Sequence, residues 1–424
     1  MDIPETAPIL DPKQLDSAIM LDPESIELSR EYNRRYLHWD ELRYRECGTF
    51  GRQNLWYLMK INRESTSKHL TFNDLKVSYN HLDSFHRDLH DIDMCLSSGF
   101  IPTKKMDEKR RMMYAVSSIM EESIASSQIE GASTTTRVAK DMLRNNKPPR
   151  NRSEQMILNN YDAMEFIRSS LDRPLSSDLI KELHAIISHR TLDDDSFEGM
   201  FRVDDSIAVS DPLTGKVYHQ PVPFEKIEPM VSELCSFINN DEPFIHPIIK
   251  GVVLHFVLAY IHPFVDGNGR VARSLFYWFT MRNGYGFMEY LSISKAISRH
   301  RGKYDLAYLL SEMDGNDITY FIRYNLGIIM ESIDIFSRYL EEKMEQQDRA
   351  LGNLRSYGLS TRQEDVLAEM IQSGEPTTAY ELATMFNTQV QNIRKDLLVL
   401  MDKGLIDIYG RDGRKITYIY RQKD

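Results

Sequence analysis

The run Gly251-Val-Val-Leu-His-Phe-Val-Leu-Ala-Tyr-Ile261 constrains this chain more than any other stretch, because a segment so uniformly apolar must be buried on all sides. It is too short to span a bilayer, so it reads as the central helix of a helical domain, ending just before His262-Pro263. A second helix is expected after Gly269, with Arg273, Leu275, Phe276 and Phe279 at helical spacing. Between the two lies Asp266-Gly-Asn-Gly269, a turn that glycine allows to fold back tightly, leaving backbone N–H groups free to face a ligand. With the positive end of the second helix behind them, those amides suit phosphate oxygens.

Residue types then suggest roles at a nucleotide-triphosphate site. His262 has an unperturbed pKa near neutrality and can accept a proton from an incoming hydroxyl. Asp266 is the hard carboxylate expected to hold Mg²⁺ together with the phosphates. Arg270 and Arg273 lie three apart on one helical face, and both can reach the same polyphosphate. Gly267, Asn268 and Gly269 complete the expected nucleotide-binding set.

The pattern His262-x-Phe264-x-Asp266-Gly267-Asn268-Gly269-Arg270-x-x-Arg273 resembles the full signature of the Fic (Fic/Doc) family. The resemblance implies a mainly α fold: a Fic-type helical core with a β-hairpin flap, flanked here by an N-terminal helical extension and a C-terminal winged helix. It implies Phe264 as a core anchor, and an enzyme that transfers AMP from ATP to a Tyr, Thr or Ser hydroxyl of a protein. In the phosphate-transferring Doc branch the second motif glycine is a basic residue, whereas this chain has Gly269.

A helix expected over about 111–130 ends in Ser126-Ser-Gln-Ile-Glu130-Gly131 and is similar to the Ser-x-x-x-Glu-Gly inhibitory motif of Fic proteins with an N-terminal inhibition helix. The likeness implies that Glu130 pairs with Arg273 and blocks the productive pose of the γ-phosphate. Ser126, one turn earlier on the same face, is expected to hydrogen-bond Glu130. Some relatives of this type also remove AMP, with the glutamate positioning water.

The rest of the chain frames that core, with divisions expected at 1–105, 106–345 and 346–424. Residues 1 to about 20 are expected to be ordered only by docking, and 24–98 to be helical. A linker is expected after Gly131, then helices at about 152–170 and 176–190. Asp205–Ser210 and Lys216–Gln220 flank Asp211-Pro-Leu-Thr-Gly215, which is hairpin chemistry. The family resemblance makes this hairpin, about 205–220, the flap that holds a target by strand addition. Tyr304 could stack on adenine, with helix packing as its alternative. Asp317 is expected to cap a long helix running to about Glu345.

Three helices over 361–403, then strands around Gly410-Arg-Asp-Gly-Arg414, resemble a winged helix. Its partner, DNA phosphates at Arg394, Lys395, Arg411, Arg414 and Lys415 or another protein, is left open. The competing function is accordingly a DNA-binding transcriptional regulator whose core senses nucleotide. The net charge of −11 argues against non-specific nucleic-acid binding by the whole molecule. No secretory pattern is read at the N-terminus, and three scattered cysteines fit a reducing cytoplasm. Self-modification and homodimer formation also stay open; no membrane partner is expected.

Overall fold

The computed structural model describes residues 3–11, 13–96, 108–210, 215–352, 354–374, 376–412 and 415–421. The chain divides into two compact units, Met1–Asp334 and Ile335–Asp424.

The first unit opens with helices α1 (Pro23–Arg34), α2 (Trp39–Leu42), α3 (Gly51–Glu64) and α4 (Asp83–Leu96). Tyr32, Leu37, Trp39, Leu55 and Trp56 form a core shared by the first three. The N-terminal residues dock on this body, with Ala7 N–H donating to the carbonyl of Met313 (2.8 Å). The helical expectation for 24–98 needs one correction. An antiparallel hairpin, β1 (Lys68–Phe72) and β2 (Leu75–Tyr79), interrupts it. Its cause is local: Asn73 turns at φ 54, and Leu75, Val77 and Tyr79 alternate inward as a half-buried strand must.

Arg63 of α3 is buried and fixes this region to the rest of the unit. It donates to the Tyr320 hydroxyl (2.9 Å) and the Leu37 carbonyl (2.7 Å), while Tyr320 donates to Asp314 (2.9 Å). Tyr36 donates to Asp317 (2.6 Å).

The core follows as α5 (Glu108–Ile129), α6 (Thr136–Arg144), α7 (Arg152–Ser169), α8 (Ser177–Ser188), α9 (Ile227–Asn239), α10 (Pro247–Ile261) and α11 (Asn268–Arg282), then α12 (Ile293–Arg299), α13 (Arg301–Met313) and α14 (Thr319–Gly352). Helix α6 stands where a linker was expected: Thr135 caps it, and Ala139, Met142 and Leu143 bury one face. Helix α14 runs on past the expected end near Glu345, and Asp317 accepts the N–H of Thr319 (3.1 Å) at its start. Helix α10 is the buried axis: it carries Ile248 to Leu258 with every side chain enclosed.

The flap hairpin is shorter than expected, with β3 (Val209–Ser210) paired to β4 (Val217–His219), so residues 205–208 are not strand. The turn expected at Asp211–Gly215 falls largely on 211–214, outside the described residues. The fold is mostly helical. Among the described residues, no helix is long and apolar enough to cross a membrane.

The second unit contains α15 (Thr361–Ser373), β5 (Thr377–Thr378), α16 (Ala379–Met385), α17 (Val390–Asp402), β6 (Ile406–Asp412) and β7 (Lys415–Tyr420). The strands order β5-β7-β6, all antiparallel. Val366, Leu367, Met370, Leu382, Ile393, Leu397 and Leu400 fill its core, as the spacing of Ile393, Leu397 and Leu400 along one helix face predicts.

Candidate active site

The site grows from the junction of α10 and α11. His262 ends α10 in the left-handed region (φ 51, ψ 60), with its N–H bonded to the Leu258 carbonyl (3.0 Å). A side-chain-bearing residue rarely sits there, and positions so strained cluster at functional sites. Its Nδ1 faces the Ala259 carbonyl (3.3 Å), and the residue is partly buried. Burial pushes the His262 pKa down to about 4, helped by the neighbouring His219 and opposed by the Ala259 contact and by Glu130. The imidazole is therefore neutral at pH 7 and able to accept a proton.

The loop that follows is tied by its own side chains. Asn268 takes the Phe264 N–H on Oδ1 (2.9 Å) and donates from Nδ2 to the Phe264 carbonyl (2.8 Å). Its amide is thus committed to closing the loop, and what Asn268 offers a ligand is backbone. Phe264 is fully buried and lies flat on His184 of α8, 3.7 Å between ring centres. His184 accepts the Gly199 N–H on Nδ1 (3.0 Å), so its Nε2–H donates to the Asp266 carbonyl (3.0 Å). Gly267 begins α11 at φ 83, a geometry that lets the chain reverse.

Three charged side chains line the turn. Asp266 takes the Gly267 N–H on Oδ1 (2.6 Å) and remains half-exposed. Arg270 is completely buried. Its Nη1 donates to the Ile187 carbonyl (3.0 Å), while its Nε and Nη2 have no hydrogen-bond partner among the described residues and Nη2 lies 3.7 Å from Asp266. Buried donors without acceptors mark a place shaped for an anion.

Arg273 is buried too, and its partners come from α5 and the residue just past its end. Its Nε donates to Ser126 Oγ (3.0 Å), and its Nη2 to the Ser126 carbonyl (3.1 Å) and to Glu130 Oε1 (2.8 Å). Burial works against both charges, yet the pairing lowers the Glu130 pKa and raises that of Arg273. The expected bond between Ser126 and Glu130 is corrected here: Ser126 serves the guanidinium instead. Gly269 explains the close approach, since a Cβ there would collide with Glu130 Oε1.

Helix α5 is itself pinned by Glu122, buried and bonded to the N–H of Ser294 (2.8 Å) and to the Ser292 hydroxyl (3.3 Å) at the start of α12. The ring of Tyr304 is buried among His255, Tyr308, Phe321 and Tyr324, and its hydroxyl meets His255 Nε2 (3.0 Å).

Sequence reasoning missed the groups that hold the flap. Arg202 donates from Nε to the His262 carbonyl (3.0 Å) and from Nη1 to Asp205 (2.8 Å), and its own N–H donates to the Pro263 carbonyl (2.9 Å). His219 of β4 lies between Glu312 and the Tyr260 carbonyl, 2.8 Å from each. Neither belongs to a motif, and single basic residues in a loop carry no spacing signal.

Among the described residues, no three His, Cys, Asp or Glu side chains gather to hold a metal. The half-exposed Asp266 beside unpartnered arginine donors fits a divalent cation that brings phosphate oxygens as its other ligands.

The fold and this loop define a helical domain whose two central helices meet at an anion-receiving turn with a neutral imidazole at its entrance. Residues 174–280 match the model of the Fic/DOC family. A protein adenylyltransferase Fic of Nematostella vectensis is 31% identical over 119 residues, which is 28% of this chain and 26% of that protein. That of Aedes aegypti is 33% identical over 108 residues, 25% of this chain and 20% of that protein. The chain thus matches well under two thirds of the length of these relatives. In fold it resembles a Fic family protein from Desulfovibrio desulfuricans (TM-score 0.52, 15% identity, 80% of this chain and 96% of the other). It also resembles Fic-1 from C. elegans (TM-score 0.52, 18% identity, 79% and 90%).

Proposed function

We propose that this protein transfers AMP from ATP to a Tyr, Thr or Ser hydroxyl of a target protein, and that Glu130 restrains it. The observation carrying this reading is the bond between Arg273 and Glu130, residues 143 apart in sequence. An acid from another helix occupies the very guanidinium that a triphosphate would need, next to an imidazole kept neutral by its surroundings. The names of the matched relatives support the same reaction.

In this mechanism the target hydroxyl oxygen attacks the α-phosphorus and its proton passes to His262. The bond from the α-phosphorus to the bridging oxygen breaks, and pyrophosphate leaves. The turn amides and the free donors of Arg270 stabilise the charge that builds on the phosphate oxygens. Mg²⁺ bound at Asp266 would neutralise phosphate charge and polarise the breaking bond. The flap edge at β3 and β4 offers main-chain groups to an extended target segment. Glu130, once free of Arg273, would also direct a water onto the phosphorus of an AMP-modified hydroxyl, a hydrolysis that releases AMP and restores the hydroxyl.

A second reading, a DNA-binding regulator whose core senses nucleotide, draws on the second unit. There Arg394 and Lys395 are exposed on α17, while the next residue, Asp396, is turned inward onto Arg362 (2.6 Å). Incubation with α-labelled ATP separates the two. Label on protein that is lost in His262→Ala supports the transferase, and nucleotide binding without transfer supports the sensor.

A further inference from the structure

Arg152, the first residue of α7, lies outside the matched family segment and outside the signature loop, yet it reaches that loop. Its Nη2 is 3.7 Å from Asp266 Oδ2 and its Nη1 is 3.3 Å from Asp193, a residue that is almost fully exposed. The local sequence explains why this arginine is available. Asn151 caps α7 by accepting the Glu154 N–H (2.9 Å), and the preceding Arg150 is spent on Glu154, with Nη2 at 2.7 Å and Nε at 3.2 Å. The helix start is therefore rigid, and Arg152 alone of the pair points at the turn.

Asp266 Oδ2 consequently stands between two guanidiniums, Arg152 and Arg270, at 3.7 Å from each. Neither distance is a hydrogen bond. Arg152 sits close enough to Arg270 that its charge opposes that of the buried guanidinium. Arg273 is different: three bonds of 2.8 to 3.1 Å hold it on Ser126 and Glu130. One end of the turn is thus a closed ion pair, and the other is a pair of cations loosely sharing one carboxylate oxygen, with two buried Arg270 donors unused. Counting Asp193, two guanidiniums face two carboxylates there, and neither contact with Asp266 is a hydrogen bond.

We propose that Arg152 is a third phosphate-contacting arginine of this site, parked on Asp266 and Asp193 until a nucleotide polyphosphate arrives. The proposal rests on the transferase reading and names a residue that its signature does not contain. Its half-exposed side chain can swing without repacking the core, and an incoming phosphate oxygen gives it the bidentate acceptor that it lacks. Because it serves the polyphosphate, it should matter for ATP and not for AMP.

The test is isothermal titration calorimetry of ATP and of AMP, each with Mg²⁺, on the full chain carrying Glu130→Gly, so that Arg273 is free. Adding Arg152→Ala should weaken ATP about tenfold, the scale of one charged hydrogen-bonding contact, and leave AMP unchanged. Arg152→Lys should recover part of the loss, because it restores charge without the fork. Thermal melting of each variant checks that the fold is intact. ATP binding that is equally tight without Arg152, or an equal loss for ATP and AMP, overturns this proposal alone. A Glu130→Gly protein that binds no ATP overturns the transferase reading and this proposal with it.

Discussion

His262 combines two features that a purely structural histidine would not need, a left-handed backbone and incomplete burial. Such backbone strain costs on the order of 1–3 kcal/mol and persists only where the surroundings impose it. Replacing the ring by His262→Ala should lower AMP transfer roughly 10²–10⁴-fold, the usual worth of a general base, as read by label incorporation. The pH profile follows from the same surroundings. A base whose pKa is lowered to about 4 stays neutral as pH falls through 6.5 and is lost only near 4. The acid limb of kcat/KM in Glu130→Gly protein should therefore lie well below 6.5, and a limb at 6.5 would show the imidazole to be solvated as in a free peptide. The residues of this loop were legible in the sequence because thirteen consecutive positions, Ile261 to Arg273, carry them at fixed spacing. His184, Arg202 and His219 were not, because each acts through the backbone of a segment distant in sequence.

At the scale of elements, the decisive contact joins α5 to α11. Gly269 is matched to it, since any Cβ would strike Glu130. Gly269→Ala should destabilise the protein by about 1–3 kcal/mol, the cost of overpacking a tight contact. The same change in a Glu130→Gly background should cost measurably less. Urea denaturation of the four proteins gives the coupling, and strictly additive losses would mean that the two sites do not touch.

Glu122 anchors the same helix two turns earlier, so Glu122→Ala leaves the Ser294 N–H unsatisfied at a cost of about 1–3 kcal/mol. It should also raise labelling activity while Glu130 is still present, because α5 is less firmly held. The helix ending near Glu130 was readable from its apolar spacing and its Gly131 stop. Helix α6 was hidden by the Asn and Pro residues that follow it, and the hairpin at Lys68–Tyr79 by the helical periodicity on either side.

For the whole molecule, the N-terminal helices belong to the same compact unit as the helices that carry the site, through Arg63, Tyr320 and Asp314. Removing one partner from a buried charge network leaves the other unpaired, so Arg63→Met should destabilise the protein by about 3–5 kcal/mol. Differential scanning calorimetry would register it, and an unchanged transition would mean that the network adds nothing to stability. That long-range joint could not be read in sequence, where Arg63 and Asp314 are far apart and Arg63 lies in no recognisable pattern.

The central claim is that Glu130 holds in check a transferase driven by His262. Its most direct test compares AMP incorporation from α-labelled ATP by the parent protein, by Glu130→Gly and by Glu130→Gly with His262→Ala. The account predicts strong labelling in the single variant, little in the parent and none in the double variant. Equal labelling in parent and Glu130→Gly, or labelling that survives loss of the imidazole, would contradict it.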